Sequence, residues 1–421
     1  MDMCLKPDNI VVPDGEAAHC VTDRLYTQAY VLHKMGHLDP ALNKCLKAVE
    51  ADDNRHEAYP LLAAEIYTEK QNLESAYDIL CTARQHFPLS HEISKTLGEL
   101  CDSLGYREDA IALFSEVLSK SPDDIVAAGS LARIYSDAGE FQTAFGVWDD
   151  LVKLNRSNPT PYFYAASMFA HFKRNDLAES FLLRAEKTFP DHACPPYLLA
   201  AIRQKNVPSH APIDYVRTLF DQFAGDYDRK LKLLENKGPE LVDGMIQRIG
   251  IHEESRLAIL DAGCGTGLCG TILSPYAASL TGVDLSTEML EQARARGCYN
   301  DIVCDDLIHF SGSTEKLFDL VILSDVLVYF GDLSVVFSSL FRCLASGGHI
   351  IFTLEESDSI ESQAGYRLDS NGRYRHTKDY ILDALRHSGF ADPLELERST
   401  LRCEYGEPVG CLVVASGLEE E

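Results

Sequence analysis

The chain has 421 residues, of which 46% are apolar, so it is long enough for two domains and too apolar for disorder. Its formal net charge of −27 repels phosphate backbones over a Debye length or more. No Lys/Arg cluster is long enough to offset that charge, which argues against nucleic acid as a partner. No run of eighteen apolar residues occurs, which argues against a membrane span, and the first residues show neither the basic nor the apolar region of a secretory signal. The thirteen cysteines form no Cys-x-x-Cys pair, and neither His91 nor His252 has a second histidine at metal-ligand spacing. No metal is therefore expected, and scattered thiols of this kind point to a reducing, cytoplasmic setting.

In chain order, residues 1–21 read as an N-terminal segment. A repeat follows, with Ala41, Ala76, Ala110, Ala144 and Ala178 recurring at intervals of 35, 34, 34 and 34 residues. Twelve positions before each stands another small residue (Ala29, Ala64, Gly98, Ala132, Ala166), and Pro88, Pro122 and Pro190 close three of the units. Small residues on facing surfaces let two helices approach closely, while Leu32, Tyr67, Tyr135 and Phe169 fill the gap to the next unit. One hairpin cannot bury its apolar face, so the units must stack. The pattern resembles the tetratricopeptide repeat (TPR) in five units over residues 22–192. Asp53 and Arg156 stand where that repeat usually has proline, and a capping helix runs from Tyr197 to about Lys205, so the array spans 22–207. By that resemblance the array binds an unknown protein or peptide in its groove, or docks or dimerises the rest of the chain as a homodimer. Tyr26, Tyr30, Leu61, Glu65, Lys95 and Glu99 at groove positions do not make the Lys/Asn/Arg carboxylate clamp known in such arrays.

Residues 208–212, with Pro208 and Pro212, read as a linker. From Ile213 to about residue 418 apolar runs alternate with helical patterns, as in an α/β domain with a mostly parallel sheet. Strands are expected over Arg256–Leu260, Ser279–Val283, about Asp301–Cys304, Phe318–Leu323 and His349–Leu354, with a helix from Leu268 to about Tyr276. Polar residues follow each strand: Asp261, Asp284, Asp305, Ser324 with Asp325, and Glu355. That edge of an open α/β sheet is where ligands bind. The loop Gly265-Thr-Gly267-Leu-Cys-Gly270 satisfies the dinucleotide fingerprint literally. A carboxylate at Asp261, however, opposes a pyrophosphate and suits a cationic, phosphate-free ligand.

Asp261-x-Gly263-x-Gly265-x-Gly267, with Asp284 and Asp305, resembles the class I methyltransferase fold, a Rossmann-like domain with a seven-stranded, mostly parallel sheet. That resemblance implies S-adenosyl-L-methionine as cofactor. Asp261 and the glycines would face its methionine part, Asp284 its ribose hydroxyls and Asp305 its adenine amino group, with Ser324, Asp325 and Val326 beside the methyl. Phe220–Asp228, Asp325–Leu333 and Gly372–His376 resemble a narrower family, predicted bacterial methyltransferases fused to TPR repeats. The first of these stretches also resembles the lid of malonyl-carrier-protein methyltransferases, which would place Tyr227 over the cofactor.

Methyl transfer from a sulfonium needs alignment, and a base only if the acceptor must lose a proton. Tyr329 and Glu355 are the catalytic candidates. His376 reads more simply as an exposed loop histidine, and Arg373 and Tyr374 as acceptor contacts or a helix cap. No Asn/Asp-Pro-Pro-Tyr/Phe string follows the fourth strand, which disfavours adenine-N6 and glutamine-N5 acceptors; Cys194-Pro-Pro-Tyr197 reads as a helix start. The acceptor is then a small carboxylic or phenolic molecule or a carrier-tethered acyl group. The alternatives are a protein methyltransferase whose repeats grip the substrate, or a non-catalytic protein that binds the cofactor.

Overall fold

A computed structural model of the chain describes residues 21–52, 56–357, 364–404 and 407–418. The N-terminal segment, apart from residue 21, and Asp53 lie outside the described residues. The chain divides into two compact units, Met1–Phe172 and Lys173–Glu421.

The first unit is helical: α1 (Val21–Lys34), α2 (Leu38–Asp52), α3 (Ala58–Glu69), α4 (Leu73–His86), α5 (His91–Ser103), α6 (Arg107–Lys120), α7 (Ile125–Asp137), α8 (Phe141–Leu154) and α9 (Thr160–His171). Successive helices pack on one another as the 34-residue period requires. Ala29, Ala41, Ala64, Ala76, Ala110, Ala132, Ala144 and Ala166 are all buried. Gly98 shows why the residue must be small: a Cβ there would stand 2.9 Å from the Phe114 ring, so α5 and α6 touch at bare backbone. The single tryptophan, Trp148, is buried and donates its indole N–H to the Met168 sulfur at 3.4 Å.

The second unit opens with α10 (Asn175–Thr188) and α11 (Cys194–Arg203), which the sequence reading assigns to the repeat array. Pro195 and Pro196 sit in the first turn of α11, where their missing N–H groups cost nothing. Tyr197 of α11 donates to Gly372 O at 2.9 Å and its ring lies 4.9 Å from that of Tyr215, so α11 is stitched to the α/β part. Then come α12 (Ile213–Phe223), α13 (Tyr227–Leu233) and α14 (Gly238–Arg248).

The sheet strands are β1 (Leu257–Ala262), β2 (Ala277–Asp284), β3 (Asp301–Cys304), β4 (Phe318–Leu323), β5 (Leu344–Glu355), β8 (Glu395–Glu404) and β9 (Glu407–Gly417). A separate hairpin pairs β6 (Tyr366–Leu368) with β7 (Tyr374–His376). The seven-stranded sheet runs β3-β2-β1-β4-β5-β9-β8. The first five strands are mutually parallel, and β9 is antiparallel to both β5 and β8.

Along β4, Leu320 and Ile322 enter one core while Val321 and Leu323 enter the other. That alternation is why the strand reads as an unbroken apolar run: helices cover both faces. The helices are α14 and α15 (Leu268–Leu273) on one side and α17 (Leu307–Ser313), α18 (Leu333–Phe341) and α19 (Lys378–His387) on the other; α16 (Thr287–Arg296) links β2 to β3. The expected helix from Leu268 to Tyr276 tightens into a 3-10 turn at Ser274–Tyr276, because Pro275 cannot donate to an α-helical bond. Strand β5 begins five residues before the expected His349, with Leu344 paired to Phe318 across an irregularity in the ladder.

Candidate functional site

The carboxyl ends of β1, β2, β3 and β4 meet at one rim. After β1 the chain turns through Gly263, whose φ of +76° L-residues rarely adopt. A Cβ there would stand 2.4 Å from Val326 Cγ2, so the turns after β1 and β4 touch through bare backbone. The N–H groups of Gly263 and Cys264 both donate to Val283 O, at 2.7 and 3.0 Å, which ties this turn to β2. Asp284 closes β2: its Oδ2 accepts from Gly265 N and its Oδ1 from Ser286 N, each at 2.9 Å. Burial pushes its carboxyl above the usual value, while these backbone donors pull the other way. Beyond β3, Asp305 pairs with the exposed His309 imidazole at 2.7 Å, which raises the histidine above its ordinary value.

These turns enclose a cavity of about 190 Å³. It is lined by Gly263, Gly265, Asp284 and Asp305, by Ser324, Asp325 and Val326, and by Tyr329 and Phe330. Tyr227 lines it from α13 and Phe220 from α12; the Phe220 ring meets Tyr227 at 6.0 Å and Tyr329 at 5.7 Å, edge-on to both. Burial pushes the Tyr227 and Tyr329 hydroxyls above their usual range, so both phenols stay protonated.

Gly267, Asp261 and Glu355, named from the sequence, do not line this cavity. Gly267 instead caps α15, with a φ of +86°. Asp261 is buried behind the glycine turn, where Tyr299 donates to its Oδ2 at 2.6 Å. Burial pushes its carboxyl up to about 7, against the pull of that hydrogen bond and with a further push from Asp284.

Glu355 is the third, and it is 1% exposed inside a charged cluster. Its Oε1 accepts from Arg373 Nε and from Arg402 Nη2, both at 2.7 Å. Burial alone would raise it, but Arg373 and Arg402 together hold its carboxyl below the usual carboxylate range. A carboxylate so committed has little basicity left for an acceptor proton. Arg373 also pairs with Asp325, and Arg402 reaches both Asp325 oxygens at 3.3 and 3.4 Å. Arg373 is thus neither a helix cap nor an unengaged anion contact.

His376 is not an exposed loop residue. It is fully buried on β7, donates from Nε2 to Gly331 O at 3.1 Å and stacks on Tyr380. Burial pushes its imidazole down to about 4, so it is neutral at physiological pH.

Three contributors escaped the sequence reading. Ser209–Ala211, in the supposed linker, is a strap across the rim: Gly331 N and Asp332 N donate to Ser209 O, and Ala211 N to Tyr329 O, all at 2.8 Å. This places His210 on the cavity wall. Asp221 of α12 accepts from Ser286 Oγ at 2.5 Å, and Asp228 of α13 accepts from Thr266 Oγ1 at 2.6 Å and pairs with Arg296. These two acids tie α12 and α13 to the glycine turn and the loop after β2. Pro208 and Pro212 disguised the strap, because prolines at both ends are the ordinary mark of an unpaired connection.

Residues 260–352 match the model of a family described as "Methyltransferase domain". The malonyl-(acyl-carrier protein) O-methyltransferase of Erwinia billingiae is 29% identical over 206 residues, covering 47% of this chain and 76% of that protein. Its namesake in Legionella pneumophila is 30% identical over 187 residues, covering 42% of this chain and 63% of that protein. Among solved structures, the 1,6-didemethyltoxoflavin-N1-methyltransferase of Burkholderia thailandensis is 19% identical, covering 51% of this chain and 93% of that one, with a TM-score of 0.40.

The chain therefore carries a class I S-adenosylmethionine-dependent methyltransferase domain, in a Rossmann-like α/β unit. The residues present fit that cofactor: bare backbone at Gly263 and Gly265, carboxylates at Asp284 and Asp305, and no Lys or Arg among the described residues lining the cavity. Phosphate recognition would require the opposite charge.

Proposed function

We propose that the chain transfers the methyl group of S-adenosylmethionine to a small-molecule or carrier-tethered acceptor, and that its N-terminal helices form a TPR array that docks a protein partner or a second copy. The observation that carries the catalytic part is that Asp284, the glycine turn, Ser324–Val326 and Tyr329 all line one cavity. The malonyl-carrier-protein relatives support a carrier-tethered or small acceptor. The regular spacing of buried small residues supports the array.

When bound, the cofactor supplies an electrophilic methyl on a good leaving group. Asp284 and Asp305 would hold its nucleoside end, Tyr227 and Phe220 would cover it and exclude water, and Ser324–Val326 would lie beside the methyl. Calorimetry with S-adenosylmethionine and S-adenosylhomocysteine is the first test; the absence of binding by both would leave only a scaffold. A tritiated-methyl assay on cell lysate, separated into small-molecule and protein fractions, then identifies the acceptor. Label confined to polypeptide chains that bear no carrier prosthetic group would point to protein methylation instead.

A further inference from the structure

We propose that the acceptor end of the cavity takes an uncharged aromatic hydroxyl, a phenol, and that the His210 imidazole receives its proton; this rests on the methyl-transfer reading above. The lining beside the strap, taken as the acceptor end, is apolar and aromatic: Ile213, Val216, Phe220, Tyr329 and Phe330, with Phe220 edge-on to Tyr329 and Phe330 bridged to His210. A planar ring fits such walls, offset or edge-on to Phe220 and Tyr329. Arg373 and Arg402 are both paired with Asp325 and Glu355, so neither is an uncommitted counter-charge for a free carboxylate.

His210 is the imidazole on this wall, and the strap fixes its backbone through the Ala211 and Ser209 hydrogen bonds and a bridge to Phe330. Its Nδ1 lies 3.2 Å from Ser209 Oγ, and it forms no ion pair among the described residues. The other titratable groups at this end are unsuited to take a proton. Tyr329 is held protonated by burial, Asp325 is bound by two guanidiniums, and Glu355 lies off the cavity. His210 is also exposed, so a proton it receives passes directly to solvent.

In the step, a lone pair on the phenol oxygen forms the new O–CH3 bond. The methyl–sulfur bond breaks and its electron pair stays on sulfur, leaving a neutral thioether. The phenol proton goes to the imidazole, which becomes imidazolium and then releases it to water.

The test compares the full chain with His210→Ala, using phenol, 4-nitrophenol and a malonyl thioester as acceptors. Loss of a general base lowers kcat/KM for phenol on the order of a hundredfold and for the readily ionised 4-nitrophenol by only about threefold, with added imidazole restoring part of the phenol rate. Independently of turnover, 4-nitrophenol bound to the S-adenosylhomocysteine-loaded protein shows a stronger phenolate absorbance in the wild type than in His210→Ala at the same pH. Equal losses for both phenols, an unchanged absorbance, or no methylation of any phenol by a protein that binds S-adenosylhomocysteine would overturn this assignment. Failure to bind S-adenosylhomocysteine would instead remove the methyl-transfer reading itself.

Discussion

Tyr299 donates its phenolic hydrogen to Asp261 Oδ2 across 2.6 Å, joining the loop after α16 to the end of β1. The pair sets the charge behind the glycine turn, because burial has already pushed Asp261 up to about 7.

The folded Asp261 carboxyl binds its proton more tightly than the unfolded one, so its contribution to stability is fully present below about pH 4. It is lost as pH rises towards about 7, at up to about 1.4 kcal/mol per pH unit. Urea unfolding between pH 5 and 8 should show this decline in the wild type and lose it in Asp261→Asn. Tyr299→Phe should move the end of the decline to higher pH and cost about 1–3 kcal/mol for the lost donor. Identical pH slopes in wild type and Asp261→Asn would refute the assignment.

Asp284 accepts two backbone N–H groups while lining the cavity, so it is already oriented for a ligand. Asp284→Ala should weaken S-adenosylhomocysteine binding by about 1.5–3 kcal/mol, the range for hydrogen bonds to a charged group. Calorimetry measures it, and wild-type affinity in the variant would remove the ribose contact.

Gly263→Ala places a methyl 2.4 Å from Val326 Cγ2 at a φ of +76°. We expect a loss of about 1–3 kcal/mol in stability from strain and overpacking, together with weaker cofactor binding as the β1 and β4 turns move apart. Thermal unfolding with and without S-adenosylhomocysteine separates the two effects. A variant as stable as the wild type would mean that the turn has slack.

Arg402 is 2% exposed, and removing it strands Glu355 and Asp325 with fewer counter-charges. Arg402→Ala should cost about 3–5 kcal/mol in denaturant unfolding. The double variant Arg402→Ala/Glu355→Ala should lose less than the sum of the two single losses, because the partners share one network. Strict additivity would show that the two groups do not interact.

The parts legible in the sequence are those written in neighbouring residues. Strands β3 and β4 match their expected bounds, although only β4 is an apolar run buried on both sides and β3 is a short, part-exposed edge strand. The glycine turn, Asp284, Asp305 and Ser324–Val326 reach the cavity because each sits at a strand end or within three positions beyond it, and parallel strands carry all such ends to one rim. Glu355 follows the same rule, yet it lies off the cavity. Position after a strand says where a side chain begins, not which partner captures it.

The sequence alone determined the α/β alternation, the acid-bearing rim and the 34-residue period, since all three rest on local spacing that backbone geometry must obey. Tertiary structure decided which of those acids are available and what sits opposite them. Tyr299 meets Asp261 over 38 residues, Arg402 meets Asp325 over 77, and the strap at His210 pairs with the turn after β4. Such contacts come from chain segments folded together by core packing, and no local pattern of residue types encodes them.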